Sequence, residues 1–396
     1  MPFLAIMARI LTLNTIAREG ITLLESRGHT VSSDMNDPDA ILLRSASLHD
    51  TEFGPNLKAI ARAGAGYNNI PIDRCTETGV VVFNTPGSNA NSVKELVVGG
   101  LILSSRFIAE GITWVRGLNP DEVDLAKEVE SGKSRFAGPE IAGKTLGVVG
   151  LGKIGVMVAN AAEALGMTVI GFDPYLSVES AWGLSRSVRR ADTIEALFAA
   201  ADYVSLHAPL NDQTRGIVGR DLLGRAKKGV RILNFARGGL VDDGAIAAGL
   251  ADGTVSRYVT DFPSDTLCRQ EGVLSIPHLG ASTPEAEANS AVMAAQQLAD
   301  YLERGNITNG VNVPSCSMEP GEGDRLILAN RNIPNMVGQI TTVLAEAGLN
   351  ISDMLNRHRG EIAYNIIDVE GSIDDGTVQR VSAIDGVVMA RRIQFA

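Results

Sequence analysis

The sequence predicts an α/β protein with a doubly wound parallel sheet and at least one smaller domain. Short apolar runs alternate with helical segments along most of the chain, which is typical of strand–helix–strand units. A glycine-rich turn directly follows one of these runs, at residues 145–149. The chain has 396 residues, and a single hydrophobic core rarely grows past about 250–300 residues. Two or three domains are therefore expected.

The first part of the chain, up to about residue 97, predicts one group of strands and helices. The start, "MPFLAIMARILTLN", is expected to be a first strand rather than a signal peptide, because Arg9 interrupts its apolar run. Unbroken apolar runs predict strands covered on both faces at 40–44, 59–63 and 80–83. Residues 91–111 predict one long helix, with Asn91 or Ser92 as its N-cap.

A second and stronger series of strands begins at residue 145. The predicted parallel strands, separated by helical segments, are 145–149, 168–172, 203–207, 230–235, 258–262 and 273–276. A long helix is expected from Pro284, a favourable first helical residue, to about Leu302. Residues 305–324 are rich in Gly, Pro, Asn and Ser and predict a linker. The remaining residues predict a small βαββαβ domain.

Composition and charge disfavour several classes of function. Hydrophobic residues make up 45% of the chain, which favours folded cores over disorder. The net charge of −11 disfavours nucleic acid and anionic membranes as partners. The three cysteines (Cys75, Cys268 and Cys316) form no CxxC pair, which favours a reducing compartment and no metal site. No run approaches the roughly 18 apolar residues of a membrane span. We therefore expect a cytoplasmic protein.

The stretch "GVVGLGKIG" (147–155) places Gly150, Gly152 and Gly155 in a GxGxxG array between a strand and a helix. In that context the first glycine permits a tight turn, the second lets a pyrophosphate approach the backbone, and the third lets helix and strand pack closely. Asp173, at the end of the next strand, can accept a hydrogen bond from a ribose 2′-OH and would repel a 2′-phosphate. The pattern predicts a Rossmann domain that binds NAD rather than NADP; the alternative is a structural turn with a strand-end acid.

Two residues at strand ends are candidates for catalysis: Arg237 in "NFARGGLVD" and His278 in "SIPHLGAST". We expect Arg237 to be desolvated and therefore to require an anion such as a carboxylate, although an interdomain salt bridge is an alternative. His278 is either a proton acceptor or a polar residue that ends a strand. Because ligands bind at the carboxyl ends of strands in open α/β sheets, both residues are expected in one crevice. A cation and a proton acceptor are what a nicotinamide-dependent oxidoreductase requires.

Several motifs, in order along the chain, resemble the D-isomer-specific 2-hydroxyacid dehydrogenases. They are "RAGAGYNNI" (62–70), "FNTPGSNANSVKEL" (83–96), "GVVGLGKIG" (147–155), "LHAPLNDQT" (206–214), "NFARGGLVDD" (234–243) and "PHLGAST" (277–283). The resemblance extends from residue 1 to about residue 312. In addition, residues 329–351 resemble an ACT regulatory domain.

The resemblance implies a division of the chain into four parts. A flavodoxin-like substrate-binding domain would comprise residues 1–97 and 288–312, and an NAD-binding Rossmann domain would be inserted as residues 98–287. Residues 313–324 would form a linker, and residues 325–396 an ACT-like regulatory domain. The family also implies a homo-oligomer, which we expect to be a tetramer.

The family implies roles for matching positions. Arg237 would bind and polarise the substrate, while His278 would take the hydroxyl proton as hydride leaves C2 for the nicotinamide. The residues implied around the cofactor are Gly150, Gly152, Lys153, Ile154, Gly155, Asp173, Ala208, Phe235, Ala236, Asp261, Gly280 and Ala281. Those implied around the substrate are Ala65 and Gly66 for the carboxylate, and Arg44, Ser45 and Arg62 for the phosphate, with Asn89 near the same site. The alternative for Arg44 and Arg62 is that each is a solvated arginine at a strand end.

One position departs from the family, which has a Glu that hydrogen-bonds the catalytic His. In the corresponding stretch, "VTDFPSDTL" (259–267), Asp261 matches the nicotinamide-side acid, and the next acid is Asp265. Asp265 is one methylene shorter than Glu, and its loop is one residue shorter. We expect Asp265 to fix the tautomer and orientation of His278, with Glu271 or a water as alternatives.

The C-terminal segment is expected to bind an amino-acid effector. Asn332 and Asn350 match the ACT positions that hold such a ligand, and an Asn amide can both donate and accept hydrogen bonds. Two departures concern the effector: Asn330 stands where serine-sensing relatives have a His, and Asn335 replaces a Gly. Feedback inhibition by L-serine is the resulting hypothesis; the alternative is a packing or dimerising appendage.

The combined parts imply NAD-dependent oxidation of 3-phospho-D-glycerate to 3-phosphohydroxypyruvate, the first step of the phosphorylated route to L-serine. Two alternatives remain. One is a dehydrogenase for an unphosphorylated D-2-hydroxy acid such as lactate or glycerate. The other is a non-catalytic, NAD-sensing binding protein, because fold alone does not determine function.

Overall fold

The computed structural model describes residues 7–395, so the first six residues of the predicted N-terminal strand lie outside the described part. The chain divides into two compact units. The discontinuous unit contains the chain up to Ser88 and again from Pro284 onward, and the central unit is Asn89–Thr283. Each unit contains a parallel sheet, which confirms the predicted α/β fold class.

The sheet of the discontinuous unit has five parallel strands. Their spatial order is Thr30–Ser32, Arg9–Leu13, Ala40–Leu43, Ala59–Arg62 and Val81–Phe83. This order, 2-1-3-4-5 in sequence numbering, is the flavodoxin-like order. Ala40–Leu43 is buried at every position, as its unbroken apolar run predicts for a strand covered on both faces.

Helices cover this sheet. They are Arg18–Ser26, Ile72–Glu77 and the long Pro284–Arg304, which begins at the predicted proline. Gly20 allows the first and last of these helices to cross closely, because a Cβ at this position would lie 2.6 Å from the carbonyl oxygen of Ala291. The returning chain therefore completes the core that the first residues begin.

The C-terminal part of the discontinuous unit forms a four-stranded antiparallel sheet with two helices. The strands, in spatial order, are Asn350–Arg359, Ile362–Glu370, Arg325–Arg331 and Val387–Ile393, and the helices are Met336–Glu346 and Asp375–Ser382. This is the predicted βαββαβ order. One face of the sheet packs on its own helices, with Leu326 and Ile367 in that core. The other face, with Ile327 and Ile366, shares a core with the helix Pro284–Arg304.

Polar contacts also attach this sheet to the end of the helix Pro284–Arg304. Arg391 donates from Nη1 to the Leu302 carbonyl and from Nη2 to the Tyr301 carbonyl, both at 2.9 Å. Tyr364 Oη donates to the Gly305 carbonyl at 2.7 Å. The last carbonyls of a helix have no partner within it, and a cation there also favours the helix dipole. The C-terminal sheet therefore caps this helix.

The central unit contains a seven-stranded parallel sheet. Its strands, in spatial order, are Val273–Ser275, Val255–Thr260, Val230–Asn234, Tyr203–Leu206, Thr145–Val149, Thr168–Phe172 and Arg189–Arg190. The order reverses between the first strand of this unit, Thr145–Val149, and its fourth strand, Tyr203–Leu206. In open α/β sheets ligands bind at such a switch point, beside the carboxyl ends of the strands.

The helices of the central unit complete its layers. The α-helices are Ala90–Ser105, Ile108–Arg116, Leu125–Gly132, Lys153–Ala164, Val178–Gly183, Ile194–Ala200, Arg220–Leu223 and Asp243–Asp252, with 3₁₀ turns at Lys133–Phe136 and Gly238–Leu240. Among residues 7–395 no single helix is long and apolar enough to cross a membrane. The first two helices meet the length and composition requirement only as a pair bent by 70°.

The prediction of one helix over 91–111 is wrong, because the chain bends between Ala90–Ser105 and Ile108–Arg116. Ser104 and Ser105 both donate from their hydroxyls to the Leu101 carbonyl. Such bonds compete with the backbone ladder and favour a bend. The predicted N-cap is also wrong: the capping position is Asn89, and its side chain makes no capping bond.

The boundaries of the two units differ from the predicted domain boundaries. The chain enters the central unit at Asn89 and leaves it at Thr283. The predicted boundaries at 97/98 and 287/288 both fall inside continuous helices, Ala90–Ser105 and Pro284–Arg304. Residues 325–396 form the predicted small C-terminal domain with its own antiparallel sheet, and this domain packs within the same compact unit as the first parallel sheet.

A buried ion pair gives a test of the attachment of the C-terminal sheet. Arg325 and Asp368 are paired at 2.6 Å with side chains 0% and 2% exposed, and Arg325 also donates to the Arg304 carbonyl. Asp368→Ala leaves a buried charge unpaired, so it should destabilise the protein by about 3–5 kcal/mol. The matched control, Glu346→Ala, breaks the exposed pair with Arg380 and should cost at most about 1 kcal/mol. Equal decreases of the thermal unfolding midpoint in the two variants would contradict this assignment.

Candidate active site

The three glycines of the turn each meet a distinct steric requirement. Gly150 has φ +90°, and a Cβ there would lie 2.7 Å from the carbonyl carbon of His207. A Cβ at Gly155 would lie 2.0 Å from the Gly150 carbonyl oxygen, so only glycine lets the helix Lys153–Ala164 start against the strand. Gly152 has no heavy atom within 4 Å of the Cβ position, which leaves its backbone open to a ligand. The turn fits a pyrophosphate at a helix N-terminus.

Asp173 is anchored to this turn. Its Oδ2 accepts from the Leu151 backbone N–H at 2.7 Å, and its Oδ1 accepts from the Tyr175 N–H at 2.8 Å. A carboxylate has about four acceptor positions, so two hydrogen bonds leave capacity for a ribose hydroxyl. Its fixed position one strand away from the glycine turn fits the adenosine side of a dinucleotide.

The other predicted cofactor residues follow the ends of neighbouring strands. Ala208 follows Tyr203–Leu206, Phe235 and Ala236 follow Val230–Asn234, and Asp261 follows Val255–Thr260. Lys153 and Ile154 begin the helix after the turn, and Gly280 and Ala281 follow the His278 segment. Carboxyl ends of parallel strands lie at one edge of a sheet, so the chain gathers these residues along a single edge.

His207, which the sequence analysis did not select, lies in this region. Its Nε2 is 2.8 Å from the hydroxyl oxygen of Ser205, and either group can be the donor. Burial lowers the pKa of His207 to about 4. The ring is therefore neutral near pH 7 and contributes no charge to the cofactor edge. Its position in "LHAPLNDQT" was the signal available in the sequence.

Arg237 is exposed, which corrects the expectation that it would be desolvated. Its Nη1 donates to the Ala236 carbonyl at 2.7 Å. Its backbone is fixed by Asn234, whose Nδ2 donates to the Arg237 carbonyl at 2.9 Å. The reason for the wrong expectation is that the buried strand ends at Asn234, and Arg237 lies on the loop after it. The backbone that carries the guanidinium is nonetheless held in place, and further N–H groups of the guanidinium can donate to a carboxylate.

His278 is also exposed, and its imidazole packs on the Phe262 ring. The two ring centroids are 4.7 Å apart with planes tilted by 47°. The Gly280 N–H donates to Asp261 Oδ2 at 3.1 Å, which ties the His278 segment to the end of the neighbouring strand. Burial raises the pKa of Asp261, while the Gly280 N–H and the nearby His278 act in the opposite direction.

One oxygen of Asp261, Oδ1, is buried and has no hydrogen-bond partner among the described residues. A buried carboxylate oxygen without a partner is costly, so such an atom at a ligand-binding edge is typical of a site completed by a ligand. It fits the amide of a nicotinamide, a hydrogen-bond donor. The glycine turn, Asp173 and Asp261 together fit NAD.

Asp265 is not brought to His278. Its side chain is exposed, and within the described residues of the central unit it makes no hydrogen bond or ion pair. Its described contact is through its backbone carbonyl, 3.8 Å from Cys268 Sγ. The alternative acid, Glu271, is exposed as well. The role of Asp265 as the partner of His278 therefore stays a prediction.

The predicted substrate residues of the discontinuous unit gather at the ends of Ala40–Leu43 and Ala59–Arg62. Arg44 forms an ion pair with Glu287 at 2.6 Å, and Arg62 Nε donates to the Arg44 carbonyl at 3.0 Å. The Ser45 N–H is held by Asn14, the Ala65 carbonyl accepts from Asn84, and Gly66 lies near the Arg62 guanidinium. Asn89, by contrast, begins the central unit.

The two predicted effector residues lie at opposite ends of the C-terminal sheet. The Asn332 N–H bonds the Glu361 carbonyl, while Asn350 pairs with Glu370. The strand between these two glutamates, Ile362–Glu370, has nine residues, so at about 3.3 Å per residue its ends are about 26 Å apart. Within one chain Asn332 and Asn350 therefore do not form a single site.

The pKa of His207 predicts a pH dependence of stability. A histidine with a lowered folded-state pKa contributes stability at pH values above its unfolded-state pKa of about 6.5. This contribution is lost as the pH falls toward the folded-state pKa of about 4. His207→Gln removes this contribution, so its thermal unfolding midpoint should fall less steeply than that of the parent over this window. His358→Gln, at an exposed position, is the control. Parallel midpoint curves for parent and His207→Gln would show that the pKa of this half-buried histidine is not lowered in the folded protein.

Comparison with known proteins identifies relatives along most of the chain. Residues 108–280 match the family described as "D-isomer specific 2-hydroxyacid dehydrogenase, NAD binding domain". A D-3-phosphoglycerate dehydrogenase of Methanocaldococcus jannaschii is 33% identical over 383 residues, covering 92% of this chain and 70% of that protein. One of Synechocystis sp. is 30% identical over 412 residues, covering 97% and 71%. Against other relatives, including that of Bacillus subtilis at 33% identity, the match spans little more than half of the relative, 57% in that case.

Solved structures of similar fold cover the greater part of the chain. A cofactor (NAD+)-bound 3-phosphoglycerate dehydrogenase of Entamoeba histolytica has a TM-score of 0.60 at 27% identity, over 77% of this chain and 99% of that chain. A holo D-mandelate dehydrogenase of Rhodotorula graminis has a TM-score of 0.65 at 21% identity, over 81% and 100%, which supports the fold. These similarities, with two relatives at 30–33% identity over more than nine-tenths of the chain, establish that the chain belongs to the NAD-dependent D-isomer-specific 2-hydroxyacid dehydrogenase family.

Proposed function

We propose that this family member oxidises 3-phospho-D-glycerate to 3-phosphohydroxypyruvate with NAD, the first step of the phosphorylated route to L-serine. The observation that carries the proposal is the similarity to D-3-phosphoglycerate dehydrogenases over 92% and 97% of the chain, which includes the C-terminal sheet. Paired arginines at two strand ends of the discontinuous unit supply positive charge for a phosphate in a protein of net charge −11.

In the proposed mechanism each residue acts through side-chain nitrogens that are available for hydrogen bonding or proton transfer. The Arg237 guanidinium binds the substrate carboxylate and polarises the C2 oxygen, because its planar fork matches a carboxylate. His278 accepts the proton of the C2 hydroxyl as the C2–O bond becomes a carbonyl. When bound, NAD supplies the acceptor for the C2 hydrogen with its electron pair. The products balance as one ketone, one reduced cofactor and one proton held by His278.

Phosphate recognition is proposed for Arg44 and Arg62, with Ser45 beside them. Arg44 already pairs with Glu287, so a phosphate must compete with that carboxylate. This observation favours a second candidate, oxidation of an unphosphorylated D-2-hydroxy acid such as lactate or glycerate, in which Arg44 keeps its partner. The two candidates differ in what removal of an arginine charge does to each substrate.

Feedback inhibition by L-serine is proposed for the C-terminal sheet. Because Asn332 and Asn350 lie at opposite ends of the sheet, one ligand contacts both residues only if two chains contribute. The edge strand Asn350–Arg359 is exposed and pairs on one side only, and such an edge can pair with a second copy. A homotetramer and a cytoplasmic location are proposed from the similarity to the same enzymes. The three free cysteines fit a reducing compartment.

The substrate assignment predicts a selective effect of Arg62→Gln. The KM for 3-phospho-D-glycerate should rise about tenfold or more, since a charge-assisted hydrogen bond contributes about 1.5–3 kcal/mol, while the KM for D-glycerate should hardly change. His278→Ala should lower kcat by about 10²–10⁴-fold with NADH affinity retained. Steady-state rates followed by NADH absorbance measure both. Equal KM changes for the two substrates would favour the unphosphorylated candidate.

The glycine turn predicts a separation of cofactor affinity from stability. Gly152→Ala meets no neighbouring atom, so the unfolding midpoint should be unchanged. NADH affinity, measured by fluorescence titration, should nevertheless fall at least about tenfold, or about 1.4 kcal/mol, because the methyl group occupies the approach of the pyrophosphate. Gly99→Ala, also without a neighbour within 4 Å, is the matched control and should leave affinity unchanged. Unchanged affinity in Gly152→Ala would place the phosphates elsewhere.

A further inference from the structure

We propose that Phe262 is the positioning residue for His278, and that ring contact, rather than a hydrogen-bonded acid, sets the orientation of the imidazole in this chain. The inference rests on the proposed function insofar as His278 is the proton acceptor. Its starting point is a difference from what the family resemblance implies: Asp265 lies on the same loop but is exposed and without a side-chain partner among the described residues of its unit.

The contact itself is direct. The centroids of the Phe262 and His278 rings are 4.7 Å apart, and the tilt of 47° lies between stacked and edge-to-face arrangements. Both geometries are favourable for aromatic pairs at this separation. Within the described residues of the central unit, neither nitrogen of the His278 ring has a hydrogen-bond partner. Phe262 therefore supplies the ring contact of the imidazole, and the Asp261 carboxyl is the nearby charge.

Phe262 is itself held from two directions. Its N–H donates to Thr260 Oγ1 at 3.0 Å, and this hydroxyl donates to the Asn234 carbonyl at 2.9 Å. On the other side, a Cβ at Gly238 would lie 3.3 Å from Phe262 Cβ, so the glycine after Arg237 leaves room for the phenylalanine. Phe262 thus lies beside Gly238 of the Arg237 loop while its ring contacts His278.

The residue before Phe262 holds the same segment through the backbone. Asp261 Oδ2 accepts from the Gly280 N–H at 3.1 Å. A Cβ at Gly280 would lie 3.3 Å from that oxygen. The acid restricts the backbone two residues after His278, and the phenylalanine restricts the side chain. Two consecutive residues at one strand end therefore perform the orienting task that a separate Glu performs in the family.

The contact predicts a spectroscopic signature that does not depend on turnover. The chain has five histidines, so selective labelling of His Cε1 gives few NMR signals, and His278→Gln identifies the one from His278. In the ligand-free full-length protein this signal should carry a ring-current shift from Phe262. Phe262→Leu should remove the shift, and Phe262→Tyr should restore it. Phe136→Leu changes a ring that packs on Trp114 instead and is the matched control.

The same variants test the effect on catalysis. Phe262→Leu should lower kcat about 10- to 100-fold, because small misplacements of a reacting group have effects of this size. KM for 3-phospho-D-glycerate, NADH affinity and the unfolding midpoint should stay close to the parent values, and Phe262→Tyr should recover most of kcat. A signal of His278 that is unchanged in Phe262→Leu overturns the proposal, as does an unchanged kcat.

Asp265→Asn tests the rival arrangement. A carboxylate bonded to the imidazole favours its protonated form, so its loss would move the acid limb of the pH profile of kcat/KM to lower pH by about one unit or more. A shift of this size in Asp265→Asn, absent in Phe262→Leu, overturns the role of Phe262. If the parent protein oxidises no 2-hydroxy acid, the proposed function fails, and the NMR signal alone then decides whether Phe262 positions His278.

Discussion

The side chain of Asn234 is fully buried at the last position of a central strand, and the geometry of the site depends on the hydrogen bonds around it. Its Oδ1 accepts from the Ala236 N–H, and its Nδ2 donates to the Arg237 carbonyl and to Tyr258 Oη. Its carbonyl accepts from Thr260 Oγ1. A buried amide with all its groups bonded fixes one backbone path, because any other path leaves buried polar atoms unpaired. The Arg237 side chain is thus exposed, while its backbone is held by Asn234.

The same network extends to the acid–base group. Thr260 holds the backbone of Phe262, and Asp261 holds the segment that follows His278. Both residues come from the strand beside that of Asn234, so the parallel pairing of two strands determines the separation of the two functional loops. Loops carry the reacting groups because their backbone is not bound by the hydrogen bonds between strands. The buried strand ends on which these loops begin limit how far they can move.

Much of this organisation was predictable from local sequence. Unbroken apolar runs such as Ala40–Leu43 predict buried parallel strands, because neither face can be polar. The spacing of Gly150, Gly152 and Gly155 predicts a tight turn, in which the first and third positions leave no room for a side chain. What could not be predicted depends on contacts between distant positions. The exposure of Arg237 reflects where the strand ends, and the role of Phe262 depends on a histidine 16 positions later in the chain. A ring in a loop carries no periodic signal, so such contacts become visible only in the folded structure.

The attachment of the C-terminal sheet has a consequence for regulation. Arg391 and Tyr364 cap one end of the helix Pro284–Arg304, and Glu287 near its other end pairs with Arg44, a proposed phosphate ligand. The sheet, the helix and this arginine therefore belong to one packed body with a shared core. An effector can shift an equilibrium only by its difference in affinity between two states. Under the feedback inhibition proposed above, a ligand on the sheet that left its fold unchanged would therefore not act by releasing a tethered domain.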